Sequence, residues 1–527
     1  MGQHNSQLTI RPVCHTPAPV ILPSELLKTE TPCLFSTKTH LDDITIGPPL
    51  PPPIPKPIDP NSPAHHCWLA PQQWTLEPIY CPFPCWTKRC ILGVTALAGT
   101  VAPLASNIFL PALPSIAHGL GTSVHQVSLA ISVFMVGMAL GPLLWGPLAD
   151  RYGRRAAYGP GFLLCVAASV CCALAPNIQT LIAARFFQSL GGSTSMVVGA
   201  GTISDLYEPH ERGTALGLFF SGQMLGPVVG TVCGGYIAQG WGWRWVFWVT
   251  ALVAGLSGLC LTVLLPETHR PTVARRYGID LKGLTVEQPR RLAAMLNIFP
   301  LLRFPYVALP IICSACFFGT LYGIKTIIPV VLTSAYGLSS AQTGLCFISI
   351  GVGNIVGSLL GGYIADWTMN HCQPTGASDI FPNKPLIEPC SGSSAPVERR
   401  LQLLLVTTVL FPVALTAYGW CLDRHSSIPL LMALQFILSV AMHATFSGLS
   451  AYLVDLFSDR SASITSLANF FRCLYGALWT GVIELVGRSL GTGWSLTLLS
   501  GICLLSSGLI YTLYWKGSQW RSKQPPQ

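Results

Sequence analysis

The amino-acid sequence predicts an all-α polytopic membrane protein with twelve transmembrane helices in two pseudo-symmetric six-helix halves. Three observations predict it. Of the 527 residues, 50% are hydrophobic and only 10% charged, against roughly 25% charged in a soluble globular protein. Apolar runs of about 20 residues, the length that crosses a hydrocarbon core of about 30 Å, recur along the chain. One phrase is also written twice: "GPLLWGPLAD" at Gly141–Asp150 returns as "GSLLGGYIAD" at Gly357–Asp366, with Gly, Leu, Leu, Gly, Ala and Asp in the same places.

The elements follow in order. Residues 1–88 are a Pro-rich tail, with 18 of the chain's 43 prolines before residue 86. Its run "GPPLPPPIPKPIDP" has nothing to pack, so it reads as a disordered, partly polyproline II cytoplasmic segment. "MGQHNS" fits an N-myristoylation pattern and Cys81, Cys85 and Cys90 stand where palmitoylation is open to them. Twelve spans make either anchor redundant. No signal peptide precedes the first span, which must direct insertion itself.

Spans 1 to 6 lie near 91–110, 126–146, 156–175, 181–203, 214–237 and 245–265, giving a first half over 89–265. A basic loop, 266–305, leads to spans 7 to 12 near 306–332, 341–362, 401–420, 428–452, 463–486 and 494–514. This second half, 306–515, carries a polar insert at 367–400, and a short tail, 516–527, follows. Two fainter echoes support the repeat: "SDLY" with "VDLF" at the ends of spans 4 and 10, and "GWRW" with "GWSL" before spans 6 and 12. Two halves of the same topology with a site between them are a transporter pattern.

Basic side chains orient the chain. Lys88, Arg89, Arg151, Arg154, Arg155, Arg212, Arg399, Arg400, Arg460, Lys516 and seven residues of the central loop share one side. Arg244, Arg424 and Arg488 face the other. Both termini are therefore expected in the cytoplasm, and the net charge of +9 reflects this asymmetry rather than a nucleic-acid surface. The 19 cysteines sit mostly in spans, where thiols behave as small hydrophobes. Only Cys421 falls in an outer loop, and no spacing suits zinc. Neither cofactor nor metal is expected. An enzyme would need paired carboxylates, metal-spaced histidines or a nucleophile motif, and the spans carry none.

"GPLADRYGRR" matches the signature between helices 2 and 3 of the major facilitator superfamily through Gly146, Leu148, Asp150, Arg151, Gly153, Arg154 and Arg155. "RFFQSLGG" resembles that superfamily's second motif through Arg185, Gln188 and Gly191. "GQMLGPVVGTVCGG" resembles its antiporter motif through Gly222, Gly226, Pro227 and Gly230. "SNIFLPALPSIA", "GWRWVFWV", "LPET" and "NFFRCLYGALWTG" are similar to fungal drug:proton antiporters, in the branch of quinidine-resistance pumps and citrate or itaconate exporters. The resemblance implies a cytoplasmic charge latch. The residues agree: Gly153 suits a tight turn, Asp150 suits helix N-termini, and Arg154 can pair with Asp205 at the end of span 4. The second copy of the phrase continues "DWTMN" without the arginines, so only the first half keeps the latch.

Gly222, Gly226, Gly230 and Gly234 recur every four residues and give span 5 one face for close helix contact. Pro227 permits a bend there. Gly353, Gly357 and Gly361 make a second such face in span 8. Charges inside spans are few and functional by default: Arg185, Lys325, Arg472 and Glu484, with His443, Asn107, Gln188, Gln223, Gln435 and Asn469 as polar company. Lys325 and Glu484 lie near span ends, where snorkelling to water is an alternative. The expected function is secondary-active export of a small organic, preferably anionic, metabolite by proton antiport. The expected partners are the substrate, protons and the bilayer, for a monomer in the plasma or vacuolar membrane. A multidrug antiporter and a non-transporting receptor on the same fold stay open.

Overall fold

The computed structural model of the chain describes residues 84–207, 209–269, 272–273, 299–371, 401–402, 404–457 and 461–523. The Pro-rich tail with Gly2 and Cys81, most of the central loop, the insert from 372 to 400 and the last four residues lie outside the described residues.

The first crossing is broken into α1 (Cys85–Gly99), α2 (Val101–Asn107) and α3 (Leu113–Gly119), with a 3-10 turn at Leu110–Ala112. Pro103, Pro111 and Pro114 account for the breaks, because each lacks the amide that would continue the ladder. The first half continues through α4 (Val124–Tyr152), α5 (Arg154–Ala173), α6 (Ile178–Leu206), α7 (Pro209–Gly240) and α8 (Trp243–Leu264). The second half begins with α9 (Pro305–Tyr336), then α10 (Ser340–Cys346) and α11 (Ile348–His371) as one crossing. It ends with α12 (Leu404–Asp423), α13 (Ile428–Leu456), α14 (Ser461–Leu490) and α15 (Thr492–Lys523). Side chains fix several starts: Asn177 accepts from the Thr180 amide at 2.9 Å, and Ser339 with Gln342 forms a reciprocal capping box. Cys421 falls in the last turns of α12 rather than in a loop.

By length and composition, eleven helical segments among the described residues can cross a membrane. The remaining expected crossing, α6, is 29 residues long but buries Arg185, Gln188, Ser189, Ser193, Thr194 and Ser195. It is too polar for lipid, so α4 and α5 pack along it and shield it. The lipid-facing surface is carried instead by helices such as α8, whose Leu252, Leu256 and Leu259 are exposed.

The pairings repeat between halves. α4 packs on α6, α5 on α6 and α5 on α8; correspondingly, α11 packs on α13, α12 on α13 and α12 on α15. The duplicated phrase serves the same pairing twice. Gly137 and Gly141 seat α4 against Ser189 and Ser193 of α6, while Gly353, Gly357 and Gly361 seat α11 against Ser439, Val440 and Ala444 of α13.

The halves meet through α4 with α14 and α7 with α10 and α11. The Ser132 and Thr480 hydroxyls are 2.9 Å apart, those of Ser115 and Ser340 are 3.4 Å apart, and Gln239 Oε1 accepts from the Ala341 amide at 3.2 Å. Backbones touch where Gly235 meets Ser340 and Gly344 meets Thr231. These contacts lie away from the side where α1 begins and α15 ends.

Candidate functional site

The polar core starts with Arg185, which α6 places at full burial. Its Nη1 donates to the Ala105 carbonyl at 3.0 Å and to Gln188 Oε1 at 2.8 Å. Gln188 in turn donates to Ser169 Oγ at 2.8 Å, so one guanidinium ties α2 and α5 to α6. Phe109 and Phe134 flank it at 4.5 and 4.2 Å from their ring centres, with Phe247 at 5.9 Å. Desolvated cation–π contacts contribute about 2 kcal/mol, which helps to hold a charge in the membrane core. Nε and Nη2 have no hydrogen-bond partner among the described residues.

A second cluster belongs to the other half. Arg472 Nη2 donates to Asn469 Oδ1 at 3.1 Å, and its guanidinium lies 4.4 Å from the Phe446 ring and 5.9 Å from Phe318. Phe318 neighbours Tyr322, ring centres 4.8 Å apart, and Lys325 Nζ is 4.8 Å from the Tyr322 ring. An aromatic path thus runs from Arg472 to Lys325. His443 accompanies it, with Nδ1 3.3 Å from the Ser439 carbonyl oxygen and both cations within electrostatic reach. Lys325 is buried and does not snorkel. It lines a crevice of about 10 Å³, room for about one water, between the halves, together with Asn107, Thr231, Phe347, Ile350 and Asn354.

Glu484 is removed from this cluster. It accepts from Arg488 Nη2 at 2.7 Å, one turn nearer the end of α14, and Arg488 is exposed. The other carboxylate oxygen is buried and unpartnered. Gln435 bonds Tyr418 and Ser349 and holds helices together. Gln223 is buried beneath Gly99, with its amide nitrogen unpartnered.

In the charged turn after α4, Arg154 meets Asp205, but Asp150 pairs with Arg154 instead of facing a helix N-terminus, and a further carboxylate takes that place. Arg154 Nη1 donates to Asp150 Oδ1 at 2.8 Å and Nε to Asp205 Oδ2 at 2.9 Å. Gly153 makes the turn with φ of +103°, and a side chain there would collide with Glu267. Glu267 is that carboxylate. Its carboxylate accepts from the backbone amides of Arg154, Arg155, Thr268 and His269 at 2.9 to 3.3 Å. It caps α5 and pins the segment after α8. The "LPET" run holding Glu267 was visible in the sequence, but its partner was not. Arg155 Nε donates to the Thr262 carbonyl at 2.8 Å, whereas Arg151 is exposed over Tyr152. These bonds join parts of the first half to one another and to the start of the central loop. Asp150, half-exposed, shares open surface with Arg151 and Arg155.

The glycine face of α7 turns inward to its own half. Gly222, Gly226 and Gly230 rest on the backbone of Ala96, Thr100 and Leu104, and Gly234 on Ile108. Contact with the other half falls to Val228, Thr231, Gly235 and Gln239 instead.

A family model described as Major Facilitator Superfamily matches residues 95–378. The chain is similar to citrate exporter 1 of Aspergillus niger, 29% identical over 503 residues, covering 89% of this chain and 94% of that protein. It is 30% identical to the efflux pump radE of Floropilus chiversii over 480 residues, 88% of this chain and 84% of the pump. In fold it resembles a bacterial homologue of the lysosomal transporter Spinster, solved inward-facing and unoccupied. The TM-score is 0.63 at 16% identity, over 83% of this chain and 99% of that one.

Proposed function

Because the chain belongs to the Major Facilitator Superfamily of membrane transporters, we propose that it is a secondary-active exporter of small organic acids, working by alternating access with protons flowing the other way. One observation carries the reading. Arg185, Lys325 and Arg472 are buried in the membrane core, and no ion pair to an acid joins them among the described residues. The intramembrane carboxylate Glu484 is matched by Arg488. A buried Arg or Lys costs roughly 2.5–3.5 kcal/mol on insertion scales, and an anionic substrate offsets that cost. Similarity to a protein named citrate exporter supports the same class. Export places the protein in the plasma membrane, with the basic side and both ends in the cytoplasm.

Replacing Lys325 and Arg472 together with Gln is expected to reduce carboxylate efflux from proteoliposomes by at least about tenfold, as two charge-assisted contacts are lost. Efflux of neutral and cationic compounds should change less than about twofold. Equal losses for all three would reverse the assignment. A second reading, efflux of an apolar metabolite, is favoured by an open groove of about 460 Å³ between α9 and α14. Ile312, Ala315, Phe471, Leu474 and Leu478 line it, and the same assay decides between the two.

Proton coupling is assigned to Glu484 or His443, the titratable groups that α14 and α13 bury. Glu484→Gln combined with His443→Ala is expected to uncouple efflux from an imposed pH gradient while exchange of substrate for substrate continues. Retained pH-driven efflux would locate the proton site elsewhere.

A further inference from the structure

The groove between α9 and α14 opens to lipid. Leu474, Leu478, Val482 and Leu485 are exposed at helical spacing along α14, which marks that helix's lipid face. Leu474 and Leu478 wall the groove together with exposed Ile312, while Ala315 and Cys316, small and buried, make its floor. Among its lining residues only Tyr475 carries a hydroxyl. Its volume of about 460 Å³ is that of a small-molecule site. Water has no partners to hold it in such a hollow, and an empty one forfeits dispersion contacts. Hydrocarbon is its natural filling.

Depth and charge narrow the choice. α9 begins at Pro305, and Ile312 follows about 10 Å along the helix; Phe471 to Leu478 spans about 10 Å of α14. One leaflet's hydrocarbon is about 15 Å deep, so the groove lies largely within the leaflet on the side where α9 begins. A 3-10 turn, Phe299–Arg303, leads into α9 there. The Phe299 ring is 5.7 Å from Phe470 and 6.4 Å from Phe471, which holds the turn against α14 at the end of the groove. Arg303 closes the turn and is exposed. Arg521 of α15 comes to the same end of α9, within electrostatic reach of Tyr306. The turn, α9 and α15 contain no acidic residue, and Glu484 of α14 stands near that helix's opposite end.

Cations thus crown an apolar slot. We infer that this is a binding site for an anionic phospholipid, one acyl chain lying in the groove and the headgroup held by Arg303 and Arg521, whose forked donors suit phosphate. The lipid braces the two helices that carry Lys325 and Arg472. With a chain seated there the groove is not a cargo path, which leaves the acid-exporter reading unaffected.

The test is native mass spectrometry of the purified full-length chain, titrated separately with dioleoyl phosphatidylserine and dioleoyl phosphatidylcholine. The acyl chains are identical, so only the headgroup differs. Phosphatidylserine is expected to bind about tenfold tighter, given two basic side chains near the surface. Arg303→Gln with Arg521→Gln should narrow that gap below about threefold. Leu474→Trp, which fills the groove from an exposed wall position, should weaken both lipids about tenfold, while Leu256→Trp on the lipid face of α8 weakens neither. Equal affinities of the wild type for the two lipids, or a gap that survives loss of both arginines, would overturn the inference. Unchanged phosphatidylserine binding by Leu474→Trp would overturn it in favour of surface charge alone. So would displacement of the lipid by an equal concentration of glycerophosphoserine, the same headgroup without its chains.

Discussion

Arg154→Ala is expected to lower transport roughly thirtyfold while leaving insertion and folding intact. The Arg154 side chain bonds Asp150 and Asp205 at 2.8 and 2.9 Å and is only 13% exposed, Asp205 16%. Breaking such a pair costs several kcal/mol when fully buried. Some access to water here reduces that to about 2 kcal/mol, or roughly thirtyfold. Asp150→Asn should cost much less, because Asp150 is 47% exposed and lies four residues from its partner on the chain. Exposed pairs of that spacing contribute about 0.5 kcal/mol. Glu267→Ala takes the acceptor from four backbone amides and is expected to match Arg154→Ala. Efflux rates normalised to monodisperse protein give the ranking. Normal efflux by Arg154→Ala, or equal loss for it and Asp150→Asn, would show that the cluster merely follows the membrane's charge preference.

Gly191→Ala is expected to reduce the yield of monodisperse protein several-fold, whereas Gly192→Ala, its neighbour, leaves it unchanged. A Cβ on Gly191 would lie 2.5 Å from the Cys165 amide nitrogen and 2.7 Å from the Gly161 carbonyl oxygen. Both are backbone atoms of α5, so no rotamer change relieves the clash and the two helices must part. Overpacking of this kind costs about 1–3 kcal/mol, enough to change abundance several-fold. On Gly192 the added atom meets Ala102 at 3.5 Å, ordinary contact. Comparable behaviour of the two variants would mean that α5 and α6 are not so closely seated.

What the sequence disclosed was set by separation along the chain. The crossings, the duplicated phrase and the four-residue glycine rhythm of α7 are local patterns, and each appears as a helix or a helix face. The Arg154–Asp205 pairing was legible because both charges stand at predicted span ends. Arg185 was legible as a buried cation, but its cage was not. Phe109, Phe134 and Phe247 come from three separate segments and look like ordinary apolar filler until they converge. Asn354 and Thr231 escaped for the same reason: an amide or hydroxyl in a span earns meaning from what faces it. The Glu484–Arg488 pair shows the opposite failure. Its spacing of four residues was in plain view, yet Arg488 was read only as a marker of sidedness. The inward turn of the glycine face, toward α1 and α2, also depends on packing that no periodicity specifies.

The polar contacts of the seam between the halves on the side away from the bundle's ends are hydroxyls, an amide and glycine backbone: Ser132 with Thr480, Ser115 with Ser340, Gln239 with Ala341, Gly235 and Gly344 against their neighbours. None of these groups takes up or releases a proton in the physiological range, and none carries a charge for dissolved ions to screen. A closure of this composition keeps the same strength in fresh or saline, neutral or acidic fluid.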